Sequence, residues 1–256
     1  MVMVIKSNVP SNIIANPDGW NPPFNTDGLL YAGIYGRGNL SKNFAAGGAD
    51  AVVSGSPVVS NHFATFDLNN FIDTGVPTTK ETTLIAVVKK VNPTLRQFFI
   101  SSYNGTGDAG RSLVIDKGTA RLTFYSHYKN TETNANTVLN CYATLNVTAG
   151  EPAFIYGRDT GKKINVASMT DKLSGENIPT AAFETIVNPE LKYRIGRGIS
   201  SEVPGASDIG AALIFDRALS DTEIKSIYRL LPGLLRPPWH QHLRGDSMAG
   251  KNILRF

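Results

Sequence analysis

Apolar residues recur along this chain in short runs, most alternating with polar ones and separated by clusters of Gly, Pro, Asn, Asp and Ser. Thr82–Lys89 is β-branched through its centre and reads as a strong strand. His62–Asp73 alternates Phe63, Thr65 and Asp67 against Ala64, Phe66 and Leu68, then turns at Asn69-Asn70 before Phe71-Ile72. Gln97–Ser102, Ser112–Ile115, Ala120–Tyr125, Thr137–Val147, Pro152–Tyr156, Lys163–Ala167 and Tyr193–Gly196 read as further strands. Short strands at regular intervals with turns between them predict a sandwich or jelly roll.

One stretch departs from this pattern. Ile209–Phe215 is apolar at nearly every position, so both faces of that strand are expected to be covered. Asp216-Arg217-Ala218 turns the chain, and Ser220 then stands three residues before Glu223, the capping-box spacing. Leu219 and Ile224 occupy the two positions of a hydrophobic staple. Ile224, Ile227, Tyr228 and Leu231 form one apolar helical face, and Pro232-Gly233 is expected to end the helix.

Residues 1–57 are dense in turn signals, with Leu29–Ile34 and Ala51–Val53 as possible short strands, and read as an irregular N-terminal arm. The arm is expected to pack on its own domain, on neighbouring copies or on a larger assembly. Residues 236–256 open on a Pro237-Pro238 break, are basic and poorly patterned, and read as a tail. The expected division is an arm over 1–57, a sandwich over 58–235 and a tail over 236–256.

The strand, the corner "IFDRALSDTEI" and the short helix resemble the closing elements of concanavalin A-like (laminin-G-like) lectin and glucanase domains, with Asp216-Arg217 where that family usually has Asn-Arg. The order "FATFD…NFIDTGV…TTLIAVVK" resembles the opening of the same jelly rolls, and "YRIGRG" before the last strand is common among them. The resemblance implies an all-β, concanavalin A-like jelly-roll sandwich with one short C-terminal helix and irregular extensions. It places that helix on the edge or back of a sheet, away from a ligand groove.

Composition adds bounds. The chain is 41% hydrophobic and 18% charged, enough for a sizeable core. Its net charge is +4, with Lys and Arg scattered rather than gathered on one face, which does not fit a nucleic-acid binder. A mildly basic surface is compatible with an acidic polymer such as a bacterial surface polysaccharide. Cys141 is the single cysteine, so neither a disulfide framework nor a cysteine zinc site is expected, and it reads as a buried small hydrophobe. The MVMVI run is too short for a secretory segment and no apolar run approaches a membrane span, so a soluble protein made in the cytoplasm is expected.

Because the resembled fold includes glycoside hydrolases, carboxylates come first among candidate chemistry. Residues two apart on a strand share a face, and the glucanase branch carries Glu-x-Asp-x-Glu; this chain has no such triplet. Asp221 and Glu223 belong to the helix cap, Asp171 and Glu176 read as loop residues, and Asp67 and Asp73 flank a turn. Hydrolysis is therefore a minority reading, and no catalytic residue is assigned. Asn104, Thr106 and Asp108 read as turn formers rather than a calcium loop, and His240 and His242 as surface residues. No metal or cofactor site is expected. Sugar binding by stacking needs exposed rings beside polar groups, and Tyr125, His127 and Tyr128 cluster at one strand end, with Tyr103, Asn104 and Arg111 in a nearby loop. These six are the candidate carbohydrate contacts.

A laminin-G-like domain with an irregular arm resembles bacteriophage tail fibre and appendage proteins. The resemblance implies a virion component that touches a bacterial surface polysaccharide, usually as a homotrimer, with other tail proteins as partners. Its alternatives are a polysaccharide-degrading enzyme and a structural tail connector.

Overall fold

The computed structural model describes residues 22–37, 39–60, 62–90, 93–105, 109–146, 148, 150–179 and 182–234. The strands in chain order are β1 (Leu29–Ile34), β2 (Val52–Ser54), β3 (Val58–Ser60), β4 (Phe63–Phe66), β5 (Phe71–Pro77), β6 (Thr82–Lys89), β7 (Gln97–Ser101), β8 (Arg111–Ile115), β9 (Arg121–Asn130), β10 (Asn136–Thr144), β11 (Pro152–Asp159), β12 (Ile164–Ser168), β13 (Leu173–Asn177), β14 (Phe183–Thr185), β15 (Lys192–Ile195) and β16 (Ser207–Phe215). The helix α1 (Asp221–Leu234) follows.

They form two antiparallel sheets packed as a sandwich. The first runs β13-β12-β11-β6-β16-β4-β3, with β1 also paired to β16; the second runs β10-β9-β8-β7-β15-β5-β2, with β14 added to β9. Strand alternation explains the packing. Leu84, Ala86 and Val88 of β6 point between the sheets, where they join Phe66, Phe99, Phe124, Tyr31 and Tyr193 in the main core. Ile85 and Val87 of the same strand point outward, into a second apolar layer with Phe154, Phe215, Leu219, Ile224 and Ile227. The helix lies on that outer face. The unbroken apolar runs of β6 and β16 follow, because both of their faces are buried.

The cap forms as its spacing predicts. The Ser220 amide donates to Glu223 Oε2 at 2.8 Å and the Glu223 amide to Ser220 Oγ at 3.3 Å. Leu219 and Ile224 are both buried. Arg217 adds a 2.6 Å contact to Glu223 Oε1, and that guanidinium, with the Ser220 donors, lowers the Glu223 carboxyl to about 2. The helix does not stop at Pro232-Gly233 but runs to Leu234. Proline's fixed φ is itself helical, and in a final turn its missing N–H costs one backbone hydrogen bond rather than the whole element.

Residues 29–54, read from the sequence as part of an irregular arm, supply β1 to the first sheet and β2 to the second. Tyr31 and Tyr35 are buried and share a 3.0 Å hydroxyl contact. From β1 onward this segment packs on its own domain. Residues 1–21 and the predicted tail lie outside the described residues.

Candidate functional site

Among the described residues the helix covers the outer face of the first sheet, and no helix covers the outer face of the second. A cavity of about 230 Å³ opens on it. Alternation along β9 sends Leu122, Phe124 and Tyr128 into the core and turns Tyr125 and His127 outward into the cavity. Ser112 and Val114 of β8, Phe98 of β7 and Val138 of β10 complete the wall from adjacent strands, Val138 directly opposite His127 in register. Tyr103 closes one side from the loop after β7, and Arg96 closes the other.

The rings are held from behind. Tyr103 stacks on His127 with centroids 6.3 Å apart and planes 14° from parallel. The Tyr103 amide donates to Ser101 Oγ at 3.1 Å, and its carbonyl accepts from Ile199 and Ser200. His127 Nδ1 lies 2.8 Å from the Gly110 carbonyl, which can only accept, so Nδ1 carries a proton and donates it there. Gly110 has φ 113°, and a Cβ there would stand 2.9 Å from the Ser102 carbonyl oxygen, so the loop that aims His127 needs a glycine.

Beneath Tyr125 lies Asp116. It accepts from Tyr125 Oη at 3.1 Å, Thr123 Oγ1 at 2.6 Å and Arg96 Nε at 3.0 Å. Arg96 also reaches Glu202 at 3.0 Å and sits 5.7 Å from the Tyr125 ring centroid. Burial, reinforced by the Asp116 charge, pushes the Tyr125 phenol up to about 12, so it remains a protonated donor at neutral pH. The site therefore offers an apolar wall and aromatic rings, bordered by polar groups held in place by their own hydrogen bonds.

Of the six candidate contacts, Tyr103, Tyr125 and His127 meet in this cavity. Asn104 is half-buried in the same loop but does not line it. Arg111 and Tyr128 turn the opposite way, between the sheets. Arg111 Nε donates to Asp159 Oδ2 at 3.1 Å and its Nη2 to the Lys80 carbonyl at 3.1 Å. Asp159 also accepts from Ser126 Oγ at 2.6 Å, Tyr128 Oη at 2.5 Å and the Gly161 amide at 2.8 Å. Burial and the Asp159 charge raise the Tyr128 phenol beyond its ordinary range. Period two already separates Tyr128 from Tyr125 and His127. Arg96, Asp116 and Glu202 come together from distant segments, and no local pattern marks them.

Four other acids have structural partners. Asp171 pairs with buried Lys90 at 2.8 Å and Asp73 with Arg194 at 3.3 Å. Asp67 accepts from the Asn69 and Asn70 amides. Glu176, expected in a loop, stands on β13 opposite Asn165, its carboxylate 3.3 Å from Lys163. His62, at the start of the alternating span, is an exposed turn residue with φ 69°. Among the described residues no group of three or more His, Cys, Asp or Glu is placed to hold a metal ion, and no helix is long and apolar enough to cross a membrane. Thr106, Asp108, His240 and His242 lie outside the described residues.

No family model and no curated protein matches the chain. Solved structures do. The receptor binding domain of botulinum neurotoxin C/D mosaic serotype aligns with a TM-score of 0.58 at 10% identity, over 80% of this chain and 52% of that one. The botulinum neurotoxin serotype D binding domain aligns equally, with a TM-score of 0.58 at 10% identity over 80% and 52%. Domain 4 of AbnA, a GH43 extracellular arabinanase from Geobacillus stearothermophilus, solved in complex with arabinotriose, aligns with a TM-score of 0.59 at 13% identity, over 78% and 97%. The chain spans about half the length of the toxin binding domains it matches. The likeness is one of fold, a sandwich of two antiparallel β-sheets.

Proposed function

We propose that this chain is a carbohydrate-binding domain whose Tyr103–Tyr125–His127 cavity holds part of a bacterial surface polysaccharide, as the receptor-binding portion of a bacteriophage tail fibre. The observation that carries the reading is the stacked Tyr103–His127 pair beside the half-buried Tyr125 ring, in a cavity on a broad sheet face that no helix covers among the described residues. A sugar presents apolar C–H faces and hydroxyl edges together, which suits a wall of rings and fixed polar atoms. The folds of the receptor- and sugar-binding domains above support it by analogy. The tail-fibre setting, the homotrimer and contacts with other tail proteins rest on the sequence resemblance.

Binding without cleavage is favoured by the state of the nearby acids. Hydrolysis needs two carboxyl groups free to act on either side of one bond. Asp116 and Glu202, the acids beside this cavity, are both bonded to the Arg96 guanidinium.

The test is calorimetric titration against purified capsular polysaccharides and lipopolysaccharide, followed by sizing of the polymer. The wild type is expected to bind without shortening the polymer, and His127→Ala to bind roughly tenfold more weakly, a loss of about 1.4 kcal/mol. Falling polymer size would overturn the non-catalytic reading. Unchanged affinity in both His127→Ala and Tyr125→Phe would overturn the site. Light scattering that shows a monomer would end the trimer proposal.

A further inference from the structure

The sheet face that carries the cavity continues past it. The outward side chains of β9 run Arg121, Thr123, Tyr125, His127 and Lys129; those of β10 run Asn136, Val138, Asn140, Tyr142 and Thr144. Val138 forms the lip of the cavity, and Tyr142 stands four residues further along the same face, roughly 13 Å away at the rise of an antiparallel strand. Tyr142 is 49% exposed, and among the described residues it is the one aromatic side chain in the set of well-exposed large apolar residues. The Arg121 guanidinium sits 4.4 Å from its ring centroid.

Arg121 differs from five of the described arginines in its charge partner. Arg96, Arg111, Arg158, Arg194 and Arg217 each pair with a carboxylate. Among the described residues no carboxylate lies within ion-pair distance of Arg121. At the opposite end of the row, Lys129 stands directly across from Glu184 of β14. The cationic end of this platform is therefore the Arg121 end. A ring beneath the guanidinium holds it flat, so less freedom is lost when it takes a carboxylate or phosphate.

We propose that Arg121 and Tyr142 form a second contact for the same ligand, which is an acidic polysaccharide lying along β9 and β10 rather than a single sugar. The inference rests on the carbohydrate-binding reading above. The cavity takes one unit, exposed Asn140 borders the path, Tyr142 supports a unit further on, and Arg121 takes that unit's anionic group. A ring-held but exposed cation contributes modestly, so the expected effect of losing it is about fivefold in affinity.

The experiment titrates a panel of purified bacterial capsular polysaccharides, each native and carboxyl-reduced, into wild type, Arg121→Gln, Tyr142→Ala and His127→Ala. Both new positions are exposed, so their variants keep the wild-type fold, checked by circular dichroism. The expected result is a native acidic polymer that loses about fivefold on carboxyl reduction and the same in Arg121→Gln, with no further loss when the two are combined. Affinity should also fall as salt is raised from about 50 to about 500 mM. A wild type that binds only neutral polymers, or an Arg121→Gln variant within twofold of it, would overturn this inference. If His127→Ala still weakens binding in that case, the carbohydrate-binding reading stands. A wild type that binds no polymer of the panel would overturn both.

Discussion

Replacing Arg111 by Met tests the assignment of that residue to the core. The Arg111 side chain is 1% exposed and that of Asp159 0%, and the pair links β8 of one sheet to β11 of the other. Met keeps much of the apolar stem but deletes both guanidinium bonds, to Asp159 and to the Lys80 carbonyl. Breaking a buried pair from one side costs about 3–5 kcal/mol, because the surviving charge stays out of water. Asp159 would retain Ser126, Tyr128 and Gly161 as donors, which puts Arg111→Met near the low end, at about 3 kcal/mol. Asp159→Asn strands the guanidinium with fewer partners and should cost about 4 kcal/mol. The double variant holds no charge there and should cost clearly less than the two singles added together. Urea unfolding followed by circular dichroism measures all three. Single variants within about 1 kcal/mol of the wild type, or a strictly additive double, would refute the reasoning. Loss of polysaccharide binding by folded Arg111→Met would return the residue to the ligand site.

Three further outcomes are expected. Glu223→Gln should destabilise by about 1 kcal/mol at neutral pH, through loss of the capping-box charge and of Arg217's partner. The Glu223 pKa is depressed on folding, so this contribution is complete above its ordinary 4.5 and vanishes as pH falls toward about 2; wild-type and variant stability curves should converge there. Gly110→Ala should weaken sugar binding more than it lowers stability, since the strained loop carries His127, and equal affinity would contradict the role of that turn. Gly157→Ala should cost about 1–3 kcal/mol in urea unfolding, because its Cβ would stand 2.3 Å from the Phe124 ring, and a neutral effect would mean the two sheets can part there.

The parts of the fold legible in the sequence are those decided locally. The bounds of β6 follow from its residues alone, because burial on both faces leaves an uninterrupted apolar run. The helix cap is legible because its bonds join residues three apart. Leu29–Ile34 is legible as a strand, but its place is not, because β1 pairs with β16, far along the chain, and six residues beginning Leu-Leu carry no record of that partner. Within the site, Tyr125 and His127 are legible together, since one residue between them places both on one face. Tyr128 and Arg111 break the same parity rule, and their buried partner Asp159 is 48 residues from Arg111. The Arg96–Asp116–Glu202 cluster has no sequence signature, because folding alone brings those segments together.

β16 has a consequence for how the protein is made. One of its edges takes β6, and the other is shared end to end by β4 at Ser207–Ile209 and β1 at Ala211–Phe215. Three segments that leave the ribosome early must thus wait, hydrogen-bonding edges open, for a strand translated much later. Such edges are templates for pairing with a neighbouring nascent chain. Products that terminate before Ser207 should accumulate in inclusion bodies, and the first sheet should close only once β16 has been made, in a slow step dominated by long loop closure.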